Sequence, residues 1–455
     1  MDERTPNTSD AGITRRDVLR LSGIGAIGIA GSALLAACSS DSGNKGAGGN
    51  TAQPSTSKPT AATSSGGGGK PTGKPIRIGA SLALTGPLSA SAILHKTAGD
   101  LFVERLNNKG GLLGRPVEWI VLDDESQNDK AAAAYERLIT EQKVDLITGP
   151  YGTGTISAAM KVAQRYNYVF TNSTGSLTYQ YNYKYQFPSW SSGRYPNISV
   201  ISGLLDMLKA SGKPIKKIAV AINTFPGSNY LALGTKDGDD QDKTGAVDVI
   251  TKAGIEVVKI EYPINISDWG PIAAQIRSAD PDFICDYGVG LDAANLLKAL
   301  KAINYKPKGL FGLWSAPGPL AALGDVGDNV MLTGFFLPSM PQAQTPAIKE
   351  IVQQYADRAK AAKTYPVFET QAESEWVAWE YLTQGVEGAQ SLDNQKVGDW
   401  LRENGITSEL IGKVKFNTDQ NNYPDDISIV AQLQKGTWQC VWPTDKKSAD
   451  LVLGA

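Results

Sequence analysis

Two apolar runs in the first half of the chain end in turns that could hold an anion. The first, "DLITGP", leads into "YGTGTISAAM", where a glycine-rich turn opens a helical pattern near Thr153. The first N–H groups of a helix lack intrahelical acceptors and lie at the positive end of its dipole. Such an end is a natural seat for a carboxylate or phosphate. Thr153 and Thr155 equally suit the role of helix cap, and capping is compatible with binding. The second run, "YVFTNS", leads into "TGSLT", so Ser173, Thr174, Gly175 and Ser176 share one short turn. Hydroxyls and free amides there could hold a polar ligand; an ordinary Ser/Thr turn has the same composition.

Other chemistry is thinly represented. His95 is the single histidine, which removes multi-histidine metal sites and most histidine-dependent catalytic arrangements. No Walker A or GxSxG motif occurs, nor a Rossmann GxGxxG turn between a predicted strand and helix. No enzyme activity, cofactor or metal is therefore expected. "KDGDDQD" (236–242) has the look of a calcium loop, but Asp242 stands where the turn needs glycine, which favours a solvated acidic loop. A net charge of −2 gives no footprint for nucleic acid. Cys285 and Cys440 could pair in an oxidising compartment, although two separate buried thiols fit a chain this poor in cysteine better.

The third cysteine has a different setting. "TRRDVLRLSGIGAIGIAGSALLAACSS" places Arg15 and Arg16 before a Gly/Ala/Ile-rich apolar run that ends in small residues at Cys38. That order is a secretory signal peptide over 1–37, and the arginine pair resembles the Tat export signal. Leu35-Ala36-Ala37-Cys38 resembles a bacterial lipobox, in which Cys38 is lipidated and becomes the first mature residue. The run is too short and too rich in Gly and Ser for a good membrane span. The expected location is extracytoplasmic, anchored by lipid to the outer face of the cell membrane. Residues 38–74 are then an anchor and a disordered Gly/Ser/Thr/Pro linker, with a coil reach of about 30–36 Å.

The elements that must position the two turns begin at Pro75. "IRIGASLAL", "VEWIVLDD", "VDLITGP" and "YVFTNS" read as strands separated by helical patterns, and the alternation restarts after Ser191 with "KIAVAIN", "IEVVKIEYP", "DFICDYG" and "GLFGLW". Strand and helix alternating in two blocks predict parallel sheets covered by helices, in two lobes. The length suits two domains. Toward the C-terminus, helices over about 347–363 and through "ESEWVAWEYLTQGV" precede "DISIVAQLQKGTWQCVWP", a hairpin turning at Lys435-Gly436. "YQYNYKYQFPSW" is read as a run of solvent-facing tyrosines, with the mouth of a cleft as the alternative.

The order of "IGASLALTGPLS", "LNNKGGLLGRPVEWIVLDDESQNDKAAAAYERLI", "VDLITGPYGTGTISAAM" and "GKVKFNTDQNNY…VAQLQKGTWQCVWP" resembles the type I periplasmic binding proteins, in the leucine/isoleucine/valine-binding branch. The resemblance implies an α/β fold of two Rossmann-like lobes joined by a three-crossing hinge. Lobe one would be 75–191 plus 337–425, and lobe two 192–336 plus 426–455. It implies a monomeric receptor that closes on a small-molecule ligand and delivers it to an ABC permease with its ATPase. A sensor of the same fold feeding a signalling partner is the alternative. Thr153 would meet a ligand carboxylate, and Ser173 and Gly175 would help hold it. The pattern departs from amino-acid receptors in lobe two. Trp314 falls where an acid pairs with the ligand ammonium, and Phe225 and Tyr230 flank Gly227 where an aromatic is expected. Ser91 replaces another aromatic. Asp286, with Tyr287 beside it, could supply the missing charge, or could cap a helix or be solvated. Trp314 could stack on a planar ligand or hold a cation, or serve as a core or hinge residue. Amides, ureas and aromatic or short organic acids stay open beside amino acids.

Overall fold

The computed structural model describes residues 70–190 and 192–454. Arg15, Arg16, Cys38 and most of the linker lie outside the described residues. Among the described residues, no helix is long and apolar enough to cross a membrane.

Continuous apolar runs become the strands of parallel sheets because both of their faces are covered. The first sheet contains β1 (Ile76–Leu82), β2 (Val117–Asp123), β3 (Leu146–Thr148), β4 (Phe170–Asn172) and β5 (Gln186–Pro188), all parallel, in the order β2-β1-β3-β4-β5. Between its strands run α1 (Ser89–Asn108), α2 (Asn128–Thr140) and α3 (Thr153–Arg165). In β1, every residue except Arg77 is buried.

The chain then leaves for a second sheet. After α4 (Pro196–Ala210) come β6 (Lys217–Asn223), α5 (Pro226–Leu233), α6 (Ala246–Lys252), β7 (Glu256–Tyr262) and α7 (Gly270–Ala279). They are followed by β8 (Phe283–Gly290), α8 (Asp292–Ala302), β9 (Leu310–Ser315), α9 (Pro317–Ala321) and β10 (Val330–Gly334). Next, α10 (Pro346–Ala361) and α11 (Thr370–Ala389) return to pack on α1, and α12 (Asn394–Asn404) packs on α11. A short hairpin, β11 (Ile406–Ser408) with β12 (Gly412–Val414), precedes the last return to the second sheet, where β13 (Ile429–Gln434) and β14 (Thr437–Trp442) form its edge. The order is β14-β13-β10-β9-β8-β6-β7, with β6–β10 parallel and the last two strands antiparallel. The chain thus passes three times between two α/β lobes.

The hairpin turn follows its chemistry. Lys435 and Gly436 both take positive φ, 49° and 76°, as a two-residue loop with the twist of its strands requires. Cys285 in β8 and Cys440 in β14 are buried free thiols with three strands between theirs.

Two expectations need correction. The tyrosines of "YNYKYQF" do not face solvent: Tyr181, Tyr183 and Tyr185 are buried while Asn182 and Lys184 are exposed. The segment alternates like a strand: α12 covers Tyr185, where a Cβ on Gly398 would meet its ring, and Tyr181 packs against Gly175. The acidic loop is solvated only over Lys236–Gln241. Asp242 is fully buried and receives both Arg194 guanidinium nitrogens at 2.8 Å.

Candidate ligand-binding cleft

Parallel strands deliver their carboxyl ends, and the turns that follow, to one edge of the sheet, and both sheets do so toward the same cleft. After β3 the chain turns through Tyr151 and Gly152, where φ is +107°, a value that glycine adopts without strain. Helix α3 then begins at Thr153. Thr155 closes this turn by donating to the carbonyl oxygens of Tyr151 and Gly152, at 2.7 and 2.8 Å. That leaves Thr153 free for another role. Its hydroxyl shares a 2.9 Å hydrogen bond with that of Ser176, from the turn after β4. Tyr181 holds the two turns together: its hydroxyl donates to the Thr153 carbonyl at 2.8 Å, and its ring lies where a Cβ on Gly175 would be.

The opposing wall comes from lobe two. Phe225 precedes α5, Val289 lies near the end of β8, and Trp314 lies in β9. A Cβ built on Gly227, in the first turn of α5, would lie 2.7 Å from Ser176 Oγ and 3.2 Å from Thr153 Oγ1. The N-terminal ends of α3 and α5 therefore meet at the hydroxyl pair. Trp190, on the first crossing, completes the wall with its ring 4.8 Å from Phe335 on the second crossing. Leu88, Tyr151 and Gln371 fill the remaining side.

The enclosed space is narrow. Its cavity volume is about 30 Å³. None of its lining residues is Asp, Glu, Lys or Arg. The field in the cleft is set by helix ends and hydroxyls instead.

Of the residues singled out from sequence, Thr153, Thr174, Gly175, Ser176, Phe225 and Trp314 line this cleft. The others stand behind it. Ser173 is buried with a hydroxyl that has no hydrogen-bond partner. Ser91 lies against the Tyr151 phenol. The Tyr230 hydroxyl meets Asp242 at 2.8 Å and Asn197 and Thr178 at 3.0 Å. Tyr287 is buried within β8. Asp286 is neither a cap nor solvated: it is fully buried and accepts a 2.7 Å hydrogen bond from the Tyr262 hydroxyl. Burial, with the Asp292 charge behind it, pushes its carboxyl up to about 8.

Tyr151, Trp190 and Gln371 escaped the sequence reading. Tyr151 adjoins the glycine turn already noted and Trp190 follows the tyrosine run, so both carried a local signal. Gln371 carried none, because α11 is buried on nearly every side and hides polar residues among aromatics. Behind Gln371 lies His95, fully buried, with Nε2 2.9 Å from Gln371 Oε1, Nδ1 3.3 Å from Glu375 Oε2, and its ring 4.8 Å from that of Tyr151.

Two α/β lobes, three crossings and a polar and aromatic cleft between carboxyl strand ends define a solute-binding receptor of the clamp type. Residues 75–437 match the sequence model of the periplasmic binding protein family, and the chain belongs to that family, in its type I division. A "Leu/Ile/Val-binding protein homolog 7" of Brucella suis biovar 1 is 22% identical over 393 residues, spanning 83% of this chain and 93% of its own. The fold is similar to that of an R. palustris solute-binding protein crystallised with benzoate, with TM-score 0.66 and 20% identity over 84% of this chain and 99% of that one. It is also similar to a branched-chain amino acid transporter substrate-binding protein of Streptococcus pneumoniae, crystallised with isoleucine. There the TM-score is 0.63, with 18% identity over 81% of this chain and 100% of that one.

Proposed function

We propose that this protein is a lipid-tethered receptor of an ABC importer, closing on a small planar carboxylate that lacks an α-ammonium group. The lining of the cleft carries the ligand class. Two helix N-termini meet at the Thr153–Ser176 pair, aromatic rings form the facing wall, and no acidic side chain is present. A carboxylate gains the free N–H groups at the start of α3 and the positive end of its dipole. An ammonium would lose water and find no carboxylate in exchange, which is costly. The planar part of the solute would lie against Trp314, Phe225 and Trp190. The same fold accommodates benzoate in one neighbour and isoleucine in another, so side chains of the cleft must set the choice.

The working assignment gives lobe one residues 75–191 and 337–425, and lobe two residues 192–336 and 426–455. Ligand drives closure only as far as it binds the closed form better than the open one. Arg15 and Arg16 would direct export and Cys38 would carry the lipid, keeping a monomeric receptor beside its permease and ATPase. Mutation of Cys38→Ala should then release the protein from membranes.

The deciding experiment is a thermal-shift panel on the full chain with benzoate, 3,4-dihydroxybenzoate, aliphatic acids, amides, ureas, leucine and isoleucine. A ligand at a hundred times its dissociation constant adds about 2.7 kcal/mol of stability. The expected result is a shift with aromatic acids. Shifts with leucine and isoleucine alone would overturn the assignment.

A further inference from the structure

The segment after β4 meets the other lobe twice. Ser176 does so in the cleft, where its hydroxyl and that of Thr153 lie beneath Gly227. Thr178, two residues on, is buried and is not part of the cleft lining. Its partners belong to lobe two: Tyr230 of α5, and Arg194 just past the first crossing. The Thr178 hydroxyl accepts a hydrogen bond from Arg194 Nη1 at 2.9 Å and lies 3.0 Å from the Tyr230 hydroxyl. The ring of the neighbouring Tyr179 adds a tilted contact, 5.1 Å between centroids, with that of Tyr230.

What each group can donate fixes the direction of these bonds. A guanidinium only donates, so Thr178 is the acceptor from Arg194. Asp242 holds that guanidinium in place, taking Nη1 and Nη2 at 2.8 Å each. Tyr230 has one proton and two acceptors of its own lobe in reach, Asp242 Oδ1 at 2.8 Å and Asn197 Oδ1 at 3.0 Å. Whichever takes the proton, the Tyr230 oxygen is left as an acceptor, and Thr178 donates to it. One hydroxyl of lobe one therefore spends both its proton and a lone pair on lobe two. The acidic loop keeps this holder rigid. Its Asp239 N–H reaches Asp242 Oδ2 at 3.2 Å, and the Asp242 side chain fills the space that a Cβ on Gly238 would need.

We propose that Thr178 is a latch residue: through Arg194 and Tyr230, both held by Asp242, it draws the lobes together by contacts in which no ligand takes part. A substantial share of the empty receptor is then closed before a solute arrives. By raising the fraction in the form that grips ligand, the latch scales affinity for every solute alike and leaves the choice among them to the cleft wall. The inference rests on the reading of this protein as a clamp whose lobes part.

The test needs no ligand. All nine tryptophans lie among the described residues, so ¹⁹F NMR of the full chain grown with 5-fluorotryptophan reads the folded body and not the tether. The Trp314 signal, identified by its absence in Trp314→Phe, reports whether lobe one covers the wall. Gly227→Ala, in which a Cβ would press on Ser176, supplies the signal of parted lobes. The parent signal should differ from it. In Thr178→Val the signal should move toward that of Gly227→Ala, with the closed-to-open ratio lowered by roughly tenfold or more, as for loss of a hydrogen bond to a charged group. Tyr230→Phe, which removes the other partner of the Thr178 hydroxyl, should shift it in the same direction. Thr178→Ser keeps the hydroxyl and should restore the parent signal. A role in packing alone predicts the reverse order, since valine keeps the shape of threonine and serine does not. Thr178→Val matching the parent while Gly227→Ala departs from it would overturn the latch and leave the clamp standing. If Gly227→Ala matches the parent as well, the latch and the reading of lobes that part fall together.

Discussion

Gly227 faces Ser176 across the cleft so closely that a single added carbon would come within 2.7 Å of the Ser176 hydroxyl. Helix α5 of one lobe therefore rests on the Thr153–Ser176 hydroxyl pair of the other without a side chain between them.

Gly227→Ala should hold the lobes apart. The expected outcome is a loss of ligand affinity of at least about tenfold, or about 1.4 kcal/mol, with the melting temperature of the free protein little changed. Calorimetric titration with the ligand found by the stability panel, together with small-angle scattering, would check this.

The hydroxyl pair makes a narrower prediction. Thr153→Val keeps the shape of the first turn of α3 but takes away one hydroxyl of the seat. Affinity for a carboxylate ligand should fall by about 1.5–3 kcal/mol, the range for a hydrogen bond to a charged group. Thr155→Val should act differently, lowering stability through the turn that its hydroxyl closes.

If Trp314 stacks on the ligand as proposed, its ring should separate planar from aliphatic solutes. Trp314→Phe should preserve most of the affinity for an aromatic acid, whereas Trp314→Ala should cost about 0.5–1.5 kcal/mol beyond the lost burial. Equal losses for aromatic and aliphatic acids would show that the ring does not stack on the ligand.

Buried acids give stability a definite dependence on pH. Burial lifts Asp286, Glu369 and Glu380 to about 8 in the folded chain, well above their values in an unfolded one. Between about pH 4 and 8 the folded state holds protons that the unfolded state has lost. Stability should therefore fall as pH rises through that interval, by at most about 1.4 kcal/mol per pH unit for each group, and level off above it. Asp286→Asn should remove one such contribution, so its advantage over the parent should widen from pH 5 to pH 8 in chemical denaturation.

Asp242 lies in a loop that composition would mark as dispensable. Because it is buried against Arg194, Asp242→Asn should destabilise the protein by about 3–5 kcal/mol. Asp240→Asn, two residues earlier and exposed, should fall within about 0.5 kcal/mol of the parent. Paired unfolding curves would separate the two.

Much of this was legible in the chain. Continuous apolar runs separated by helical patterns disclosed the parallel strands of both sheets, and the glycine turn at Tyr151–Gly152 was legible before α3, because backbone geometry demands those residue types locally. What escaped depended on distant partners. Tyr185 is buried against α12, more than two hundred residues later, while Tyr181 packs on Gly175 and Tyr183 reaches the Tyr168 carbonyl. Asp286 appears in sequence as a charge at a strand end, but Tyr262 and Asp292 make it a proton-holding core residue. Gln371 owes its place in the wall to the way α11 packs on α1, which no local pattern reports.

The division of the cleft between two sheets has a consequence for how such a receptor changes over time. On the proposed function, the grip on the charged end of a solute would come from the turns after β3 and β4, and the gauge of its shape from Phe225, Val289 and Trp314 at three separate strand ends of the second sheet. A substitution in the gauge alters which solutes fit without disturbing the fold of the grip. The same scaffold can therefore be re-addressed to a new nutrient by one or two exchanges, each tolerated alone, with the handle by which solutes are caught inherited intact.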